Sequence, residues 1–423
     1  MTATTLSGRA QTVFLDPALV RRNRIIGIVL LVLAAVIASG FGIGVEGNAA
    51  FNLTPPRALI PIGSLIVPVA PYVLVIAAII AFMGVRLLMK SGSRYANLLL
   101  GIALALAITA FLTWATAGKS LSLIGLLQAT VVRAVPIAFA GLAGVLCERV
   151  GVVNIGIEGM MMAGAFTGAV AGSLIGGVGG LVAATVVGGG IGLLLALLTV
   201  TYRLDHIIAG VVINMLVLGI TSYATSQVLV SNRALNQAPV FRPIEIPYLS
   251  DVPILGPMFF SHNIFVYAAL IMLLSATYYL FHTRLGLRAR AVGEYPRAAD
   301  TLGIDVFRTR YINVMLGGMV AGFGGAWFTL GSVGQFDENM TAGRGFIGLA
   351  AMIFGRWHPL GVLAAALVFG FADTLQQKLV ILRTPVPAEF LAMAPYILTI
   401  IVVAGLVGRA RAPAADGHNY EKS

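Results

Sequence analysis

Residues 25–43 read IIGIVLLVLAAVIASGFGI, a run of 19 residues that contains no charged side chain. An α-helix needs about 20 apolar residues to cross a bilayer. Residues 1–24 precede the run and end in Arg21, Arg22 and Arg24, and basic residues concentrate on the cytoplasmic side of membrane spans. The apolar part of a signal peptide is shorter, at about 7–15 residues. The run therefore predicts an uncleaved first span with the N-terminus in the cytoplasm.

The composition of the whole chain indicates that the membrane environment continues beyond this run. Of 423 residues, 59% are hydrophobic and 10% are charged, whereas a soluble domain carries about 25% charged residues. In a bilayer, only helices and closed barrels satisfy their backbone hydrogen bonds. Barrel strands alternate apolar and polar residues, but the apolar runs here are continuous. The sequence predicts an all-α, polytopic transmembrane helix bundle of about 10–12 spans, including one short or broken helix.

Apolar runs of span length recur along the chain. We predict further spans near residues 63–85, 96–116, 123–146, 155–176, 181–202, 207–229, 264–282, 312–332, 359–374 and 391–408. Residues 345–355 are too few to cross alone and predict a half-helix that is buried in protein. Loop 283–311 carries six arginines and three acidic residues, so it should face the cytoplasm. The C-terminus should also be cytoplasmic, provided that residues 345–355 enter the membrane and Arg356 lies toward the cytoplasm.

Charge and reactive residues narrow the function. The net charge of +11 could indicate a nucleic-acid partner, but no basic stripe with interleaved aromatic residues lies outside the spans, so we expect none. The single cysteine, Cys147, cannot form an intramolecular disulfide, and the five histidines lack ligand spacing, so we expect no metal and no cofactor. Because P-loop and catalytic motifs are also missing, the chain should not be an enzyme, and any ATP dependence would come from another subunit.

Three polar stretches interrupt the apolar pattern. The first, residues 147–166, places Asn154 and Glu158 four residues apart, on one face of a helix. A carboxylate in hydrocarbon costs about 2.5–3.5 kcal/mol on insertion scales, so it must face a partner or water. Glu158 therefore either lines a solute path or is stabilised by a helix N-terminus, with Arg149 or Arg133 as a possible partner.

The second polar stretch opens the span near 207–229. Asp205 is of the residue type that caps helix N-termini, and Asn214 lies about two and a half turns further into the span. An amide at that depth either hydrogen bonds a neighbouring helix or meets a polar solute. The sequence leaves both interpretations open.

The third polar stretch, residues 283–306, is rich in arginine and in small residues. Ala298, Ala299 and Leu302 are predicted on one side of a short helix that Gly303 ends. Such a helix either rests on the lipid surface or docks a partner. We favour docking, because the stretch holds more small residues than a solvated basic loop needs.

Three motifs in these stretches carry a family resemblance. Residues 148–166 match E-R-x-G-V-V-N-I-G-x-E-G-M-M-x-x-G-A-F, residues 283–304 match T-x-x-G-x-x-x-R-A-V-G-x-x-P-x-A-A-x-x-x-G-I, and residues 343–359 match G-R-G-F-I-x-L-A-A-x-I-F-G-x-W-x-P. Together they resemble permease subunits of bacterial ABC importers of the ribose/branched-chain amino-acid permease superfamily. The nearest branch comprises nucleoside permeases that work with a Bmp-type lipoprotein. The resemblance covers roughly residues 115–408.

This resemblance implies a membrane-spanning permease that moves nucleosides or a similar small polar solute by alternating access in the bacterial inner membrane. Its implied partners are cytoplasmic ABC ATPase subunits, a second permease subunit in a heterodimer and an extracellular substrate-binding lipoprotein. The ATPase-coupling loop would include Arg288, Arg290, Gly293, Glu294, Ala299 and Gly303. The candidates for the solute path are Asn154, Glu158, Asn214 and Arg344.

Alternatives remain open at this point. Simple sugars or branched-chain amino acids could replace nucleosides as the solute, although the string V-N-I-G-I-E-G-M favours nucleosides. An ion-coupled secondary transporter would need carboxylates inside the membrane, for which only Glu158 and Asp373 qualify. The resemblance divides the chain into extra N-terminal spans (1–115), the permease domain (116–408) and a cytoplasmic tail (409–423).

Overall fold

The computed structural model describes residues 17–53, 63–89, 93, 95–250, 252, 255–384, 386, 387, 390, 393 and 411–422. Contacts divide these residues into two compact units. The N-terminal unit contains the described residues up to 123, together with residues 381–384. The core unit contains the described residues from 124 to 380 and from 386 to 422.

The N-terminal unit consists of three apolar helices and a small sheet. Its elements are α1 (Pro17–Ile37), β1 (Asn48–Asn52), β2 (Ser64–Pro68), α2 (Val69–Met89), α3 (Ala96–Ala115) and β3 (Ser120–Ser122). The strand order is β2-β1-β3, with β1 antiparallel to β2 and parallel to β3. Large apolar side chains such as Val32 and Phe82 are exposed on the helices, as expected where lipid is the solvent.

The core unit contains the remaining helices. They are α4 (Leu123–Glu148), α5 (Ile157–Ala196), α6 (His206–Ala224), α7 (Leu255–Phe259), α8 (Ile264–His282), α9 (Arg284–Glu294), α10 (Pro296–Thr301), α11 (Val306–Phe328), α12 (Arg344–Phe354) and α13 (Pro359–Ile381). Short π-helical segments extend α5, α6 and α11 to Thr201, Leu229 and Val333. Strands β4 (Ile244–Glu245) and β5 (Ser261–His262) form a two-stranded sheet between α6 and α8.

Helix α5 is a hairpin of two spans rather than one long helix. Gly176 has φ +82° and ψ +167°, a conformation that is open to glycine but not to other residues. A Cβ on Gly180 would lie 2.6 Å from the carbonyl oxygen of Gly168, whereas residues twelve apart in a straight helix are about 18 Å apart. The chain therefore reverses near Gly176, which confirms the separate spans predicted at 155–176 and 181–202.

Both arms of the α5 hairpin pack against α11 through their backbones. A Cβ on Gly188, in the second arm, would lie 2.4 Å from the carbonyl oxygen of Gly318. A Cβ on Gly164, in the first arm, would lie 2.2 Å from the carbonyl oxygen of Gly322. No other residue fits at such distances, so glycine is what allows this close helix packing.

The described helices confirm most of the predicted spans. Nine of them are long and apolar enough to cross a membrane, and they account for ten predicted spans when the α5 hairpin counts as two. The predicted span at 391–408 falls almost entirely outside the described residues. The eleven-residue α12 confirms the predicted half-helix at 345–355, because it is too short to cross alone.

Four predicted boundaries are wrong. The first span begins at Pro17 rather than at residue 25, and the span near 63–85 begins only at Val69, because residues 64–68 form strand β2. The span near 312–332 begins earlier, at Val306, because the Asp305 side chain accepts a hydrogen bond of 2.9 Å from the Arg308 backbone N–H and so caps α11. The predicted loop 283–311 is therefore mostly helical. The span near 359–374 continues to Ile381, since Asp373 and Gln377 point at polar partners and do not end the helix.

Candidate functional site

Glu158 caps the N-terminus of α12. Its carboxylate accepts hydrogen bonds from the backbone N–H groups of Gly343 (2.8 Å) and Gly345 (2.6 Å), and the residue is buried. A carboxylate that binds the free N–H groups of a helix is stabilised by those bonds and by the helix dipole. Glu158 is therefore stabilised by a helix N-terminus, which was one of its two interpretations. The helix is α12, and Arg133 pairs with Asp373 rather than with Glu158.

Asn154 does not share a helix face with Glu158, so that prediction was wrong. Helix α5 begins only at Ile157, and Asn154 lies in the preceding loop. Its amide N–H groups contact the sulfur atoms of Cys147 (3.3 Å) and Met160 (3.6 Å). Its buried Oδ1 has no hydrogen-bond partner among the described residues.

Asn214 joins α6 to the start of α5. Its Oδ1 accepts a hydrogen bond of 2.8 Å from the Gly159 backbone N–H, and its Nδ2 donates one of 2.9 Å to the Ile155 carbonyl oxygen. Asp205 caps α6, as predicted, by accepting bonds from the N–H groups of Ile207 and Ile208. Of the two interpretations of Asn214, the structure supports the bond to a neighbouring helix.

Arg344 belongs to a group of charged side chains where α4, α12 and α13 meet. The carboxylate Oδ2 of Asp373 lies 2.9 Å from Nη1 of Arg133 and 3.5 Å from Nη2 of Arg344, and Arg133 also hydrogen bonds Gln377. The Arg344 guanidinium lies 5.6 Å from the ring centre of Phe328. We call Arg133, Arg344, Asp373 and Gln377 the polar cluster.

The polar cluster is partly accessible and unbalanced in charge. The charged side chains are 19–25% exposed, and two guanidinium groups share one carboxylate. Asp373 lies eight residues before the end of α13, which is about 12 Å along the helix. Charged groups at such depth face a wet cavity or a partner rather than lipid. Arg133 was predicted only as a possible partner of Glu158, although a lone arginine within an apolar span is a recognisable signal of a polar site.

At the opposite end of α4, two of the sequence motifs meet. The Trp357 indole N–H donates a hydrogen bond of 2.6 Å to the Glu148 carboxylate, and Nε of Arg149 donates one of 2.9 Å to the Trp357 carbonyl oxygen. Arg356 and Trp357 have φ of 56° and 53°, a strained conformation for such residues. These bonds hold the turn between α12 and α13 against the end of α4.

Helices α9 and α10 lie at this same end, which we call the α9–α10 end. A Cβ on Gly293 would lie 2.2 Å from the Arg149 carbonyl oxygen, so Gly293 allows α9 to contact the end of α4 directly. Arg290 lies over the Phe281 ring, with 5.0 Å between the guanidinium and the ring centre. Burial, with repulsion from Arg290 second, lowers the pKa of Arg149. Arg288 and Glu294 are exposed on the surface of this element.

The short helix predicted to end at Gly303 is α10, and Gly303 has the expected positive φ of 78°. Its predicted face is wrong, however. Ala299 is 2% exposed and Leu302 is 81% exposed, because α10 ends at Thr301 and the following turn directs Leu302 outward. Ala299 therefore packs on the bundle, and Leu302 is available on the surface.

No group of three or more His, Cys, Asp and Glu side chains that could hold a metal ion occurs within the described ranges.

Comparison with known proteins identifies the family to which the chain belongs and several similar proteins. The model of a family described as a branched-chain amino acid transport system permease component matches residues 126–404. The guanosine ABC transporter permease protein NupQ of Bacillus subtilis is 41% identical over 307 residues, which cover 70% of this chain and 96% of the relative. The nucleoside ABC transporter permease protein NupC of Lactococcus lactis is 39% identical over 68% of this chain and 94% of the relative.

A third relative has a different name. The putative glucose ABC transporter permease protein TsgC13 of Haloferax volcanii is 35% identical over 60% of this chain and 77% of the relative. No solved structure matches the chain.

Proposed function

The chain belongs to the branched-chain amino acid transport system permease family and is a multi-pass permease subunit of an ABC importer, and we propose that it transports nucleosides. ATP hydrolysis belongs to a separate ATPase subunit, so the ion-coupled alternative is set aside. The choice of nucleosides rests on the similarity to the guanosine and nucleoside permeases. This similarity extends over more than nine-tenths of the length of each relative. The putative glucose permease matches less well and over a shorter region.

We propose that the solute passes the polar cluster. A nucleoside offers sugar hydroxyl groups and a base with hydrogen-bonding edges and a flat face. The carboxylate of Asp373 and the amide of Gln377 can accept bonds from hydroxyl groups, and the arginines can donate to base carbonyl groups. The flat guanidinium of Arg344, which is 23% exposed, offers a surface on which a base can stack. Because the charged side chains are partly accessible, such contacts need only local side-chain movement.

Within this proposal, the other candidates position the path rather than contact the solute. Glu158 fixes the N-terminus of α12, from which Arg344 projects, and Asn214 fixes the start of α5. Asn154 is buried in the loop that precedes α5 and supports that loop from inside the core.

The proposed orientation places the α9–α10 end and both termini in the cytoplasm of a bacterial inner membrane. The ATPase would dock on α9 and α10, through a surface that includes Arg288, Glu294 and the exposed Leu302. A second permease subunit would complete the path as a heterodimer, and an extracellular lipoprotein would deliver the solute. The N-terminal unit would be an addition to the permease domain, since the family match begins at residue 126.

Uptake measurements test the solute. Cells that express the complete importer, with and without this chain, are offered labelled guanosine, glucose or leucine. We expect loss of guanosine uptake alone when the chain is absent. Loss of glucose or leucine uptake with normal guanosine uptake would contradict the nucleoside assignment.

Charge substitutions test the path separately. Arg133→Ala should lower guanosine uptake at least about tenfold. Charged side chains within membrane spans are costly, and where they occur they usually line the path of a solute. The matched control is Arg86→Ala, which removes an exposed arginine of the N-terminal unit. Normal uptake by Arg133→Ala in correctly inserted protein would contradict the path while leaving the solute assignment intact.

A further inference from the structure

Residues 411–422 form an ordered segment that packs across the α9–α10 end. The family match ends at residue 404, so the family does not account for this segment. The Ala415 backbone N–H donates a hydrogen bond of 2.9 Å to the Gly293 carbonyl oxygen, and the Gly417 backbone N–H donates one of 3.2 Å to the Gly151 carbonyl oxygen. The segment thus bonds α9 on one side and the loop after α4 on the other.

Side chains of the segment extend these links to three more elements. The Tyr420 hydroxyl donates a hydrogen bond of 2.7 Å to the Asp300 carboxylate in α10, and its ring lies 5.7 Å from that of Phe307 in α11. Nδ2 of Asn419 donates a bond of 2.7 Å to the Arg203 carbonyl oxygen, and its Oδ1 lies 3.1 Å from Nε2 of His206 in α6. One short segment therefore contacts both α10 and the ends of two spans.

A buried arginine shows that the segment is part of the native packing. Arg310 of α11 is 1% exposed. Its Nε donates a hydrogen bond of 3.1 Å to the Val150 carbonyl oxygen, and its Nη1 donates one of 3.1 Å to the His418 carbonyl oxygen. Each bonded donor offsets part of the cost of burying a guanidinium, and these two bonds matter the more because Nη2 of Arg310 has no hydrogen-bond partner among the described residues. Departure of the segment would leave Arg310 with fewer partners.

The carboxyl group of Asp416 adds a second buried contact. It faces Glu148 at the end of α4, and burial raises its pKa to about 6. The groups that face it are Glu148 from α4, Arg310 from α11, and His418 and the Gly417 backbone from the segment itself. The segment is thus held by specific polar contacts in addition to apolar ones.

We propose that residues 411–422 are a strap that joins α9 and α10 to α4, α6 and α11, so that a push on α9–α10 moves these spans together. The inference rests on the proposed docking of the ATPase at α9 and α10. Helix α10 has only six residues and one buried side chain, Ala299. Its bond to Tyr420 therefore adds a route by which displacement of α10 reaches α6, beside the direct chain connection from α10 to α11.

The strap has an effect that a merely structural segment would not have. If it transmits force, loosening it leaves ATP hydrolysis running while solute transfer fails, so more ATP is used per solute moved. If it only stabilises the fold, both rates fall together and their ratio stays constant. An inhibitory segment would give a third pattern, with both hydrolysis and uptake rising on its release.

The test uses the complete importer in proteoliposomes, with its ATPase and binding protein. The variant combines Tyr420→Phe with Asn419→Ala and leaves Arg310 bonded, because deletion of the segment could prevent folding. Loss of three hydrogen bonds should raise the undocked fraction about tenfold or more, and the ATP hydrolysed per solute imported at least about threefold. Lys422→Ala, an exposed residue of the same segment, is the control and should match the wild type.

The outcomes separate the two proposals. An unchanged ratio in an assembled, active variant would overturn the strap alone, and so would a rise in both rates. The ratio can be measured with whichever solute the wild type imports, so a wrong nucleoside assignment does not affect it. A wild type that shows no ATP-dependent uptake of any solute would overturn both proposals.

Discussion

In the polar cluster, charged side chains pair with one another, whereas the hydrogen bonds that Arg310 makes with described residues at the α9–α10 end go to backbone carbonyl groups. Asp373 is shared by Arg133 and Arg344, and all three are partly accessible. Arg310 is enclosed and bonds to carbonyl oxygens of Val150 and His418. Side-chain pairs can exchange a partner for a solute, but backbone carbonyl groups stay where the fold places them. The difference suggests a functional role for the cluster and a structural one for the arginine.

The strongest test of this contrast is Arg310→Met. Removal of the guanidinium leaves buried carbonyl groups without donors, which should lower the free energy of unfolding by about 3–5 kcal/mol. The measurement is thermal unfolding of purified protein in detergent. The control is Arg308→Met, two residues earlier on the exposed side of α11, which should change stability little. Equal stability of the two variants would contradict the structural role of Arg310.

The second test uses pH to loosen the strap. The pKa of Asp416 in the docked strap is about 6, above its ordinary value of 3.8, so the docked state binds the proton more tightly. This stabilisation is fully present at low pH and is lost as the pH rises through the raised pKa of about 6. A spin label at Lys422→Cys should therefore be more mobile at pH 8 than at pH 5.

The matched variant in this experiment is Asp416→Asn, which keeps the shape of the side chain but cannot ionise. Its label should stay immobile at both pH values. If the label in this variant loosens with pH as the wild type does, a group other than Asp416 controls the strap. Cys147 is buried and should not take up the label.

A smaller effect is expected from Glu158→Gln. The amide retains only one good acceptor for the N–H groups at the α12 terminus and loses the charge, so stability should fall by about 1–3 kcal/mol. Guanosine uptake should fall as well, because Arg344 projects from this terminus. Asp205→Asn at the α6 cap is the comparison, since asparagine caps helices almost as well as aspartate. Normal guanosine uptake by Glu158→Gln would contradict the role of Glu158 in positioning the solute path.

The smallest stability change is expected from Asp373→Asn. Exposed or partly exposed ion pairs contribute about 0–1 kcal/mol, so unfolding should scarcely shift, while guanosine uptake should fall at least about tenfold. This combination is the reverse of that expected for Arg310→Met. If Asp373→Asn unfolds easily and still transports when folded, the cluster is a structural feature like Arg310.

The sequence predicted what depends on local composition. Apolar length predicted the ten described spans, and the eleven residues of α12 marked it as a half-helix. Gly303 ended α10 as expected, and Asp205 capped α6, because caps and turns depend on residues a few positions apart. The face shared by Asn154 and Glu158 was wrong, because the start of α5 at Ile157 is decided by tertiary contacts such as the bonds of Asn214.

Contacts between distant parts of the chain could not be predicted from one sequence. Arg133 and Asp373 are separated by 240 residues, and Arg310 and His418 by 108. Nothing in the spacing of the residues indicates such pairs. The strap is a further case, because a polar segment after the last predicted span resembles any solvated tail until its partners at Gly151 and Gly293 are known.

The glycine contacts between the α5 hairpin and α11 have a mechanical consequence. Where Gly188 meets Gly318, and Gly164 meets Gly322, there are no side-chain rotamers to rearrange and no gap into which a helix can shift. These helices therefore have one way of fitting together, and they form a stiff frame. Relative motion during a transport cycle must occur at the edges of that frame, where larger side chains such as Arg344 and Phe328 can repack.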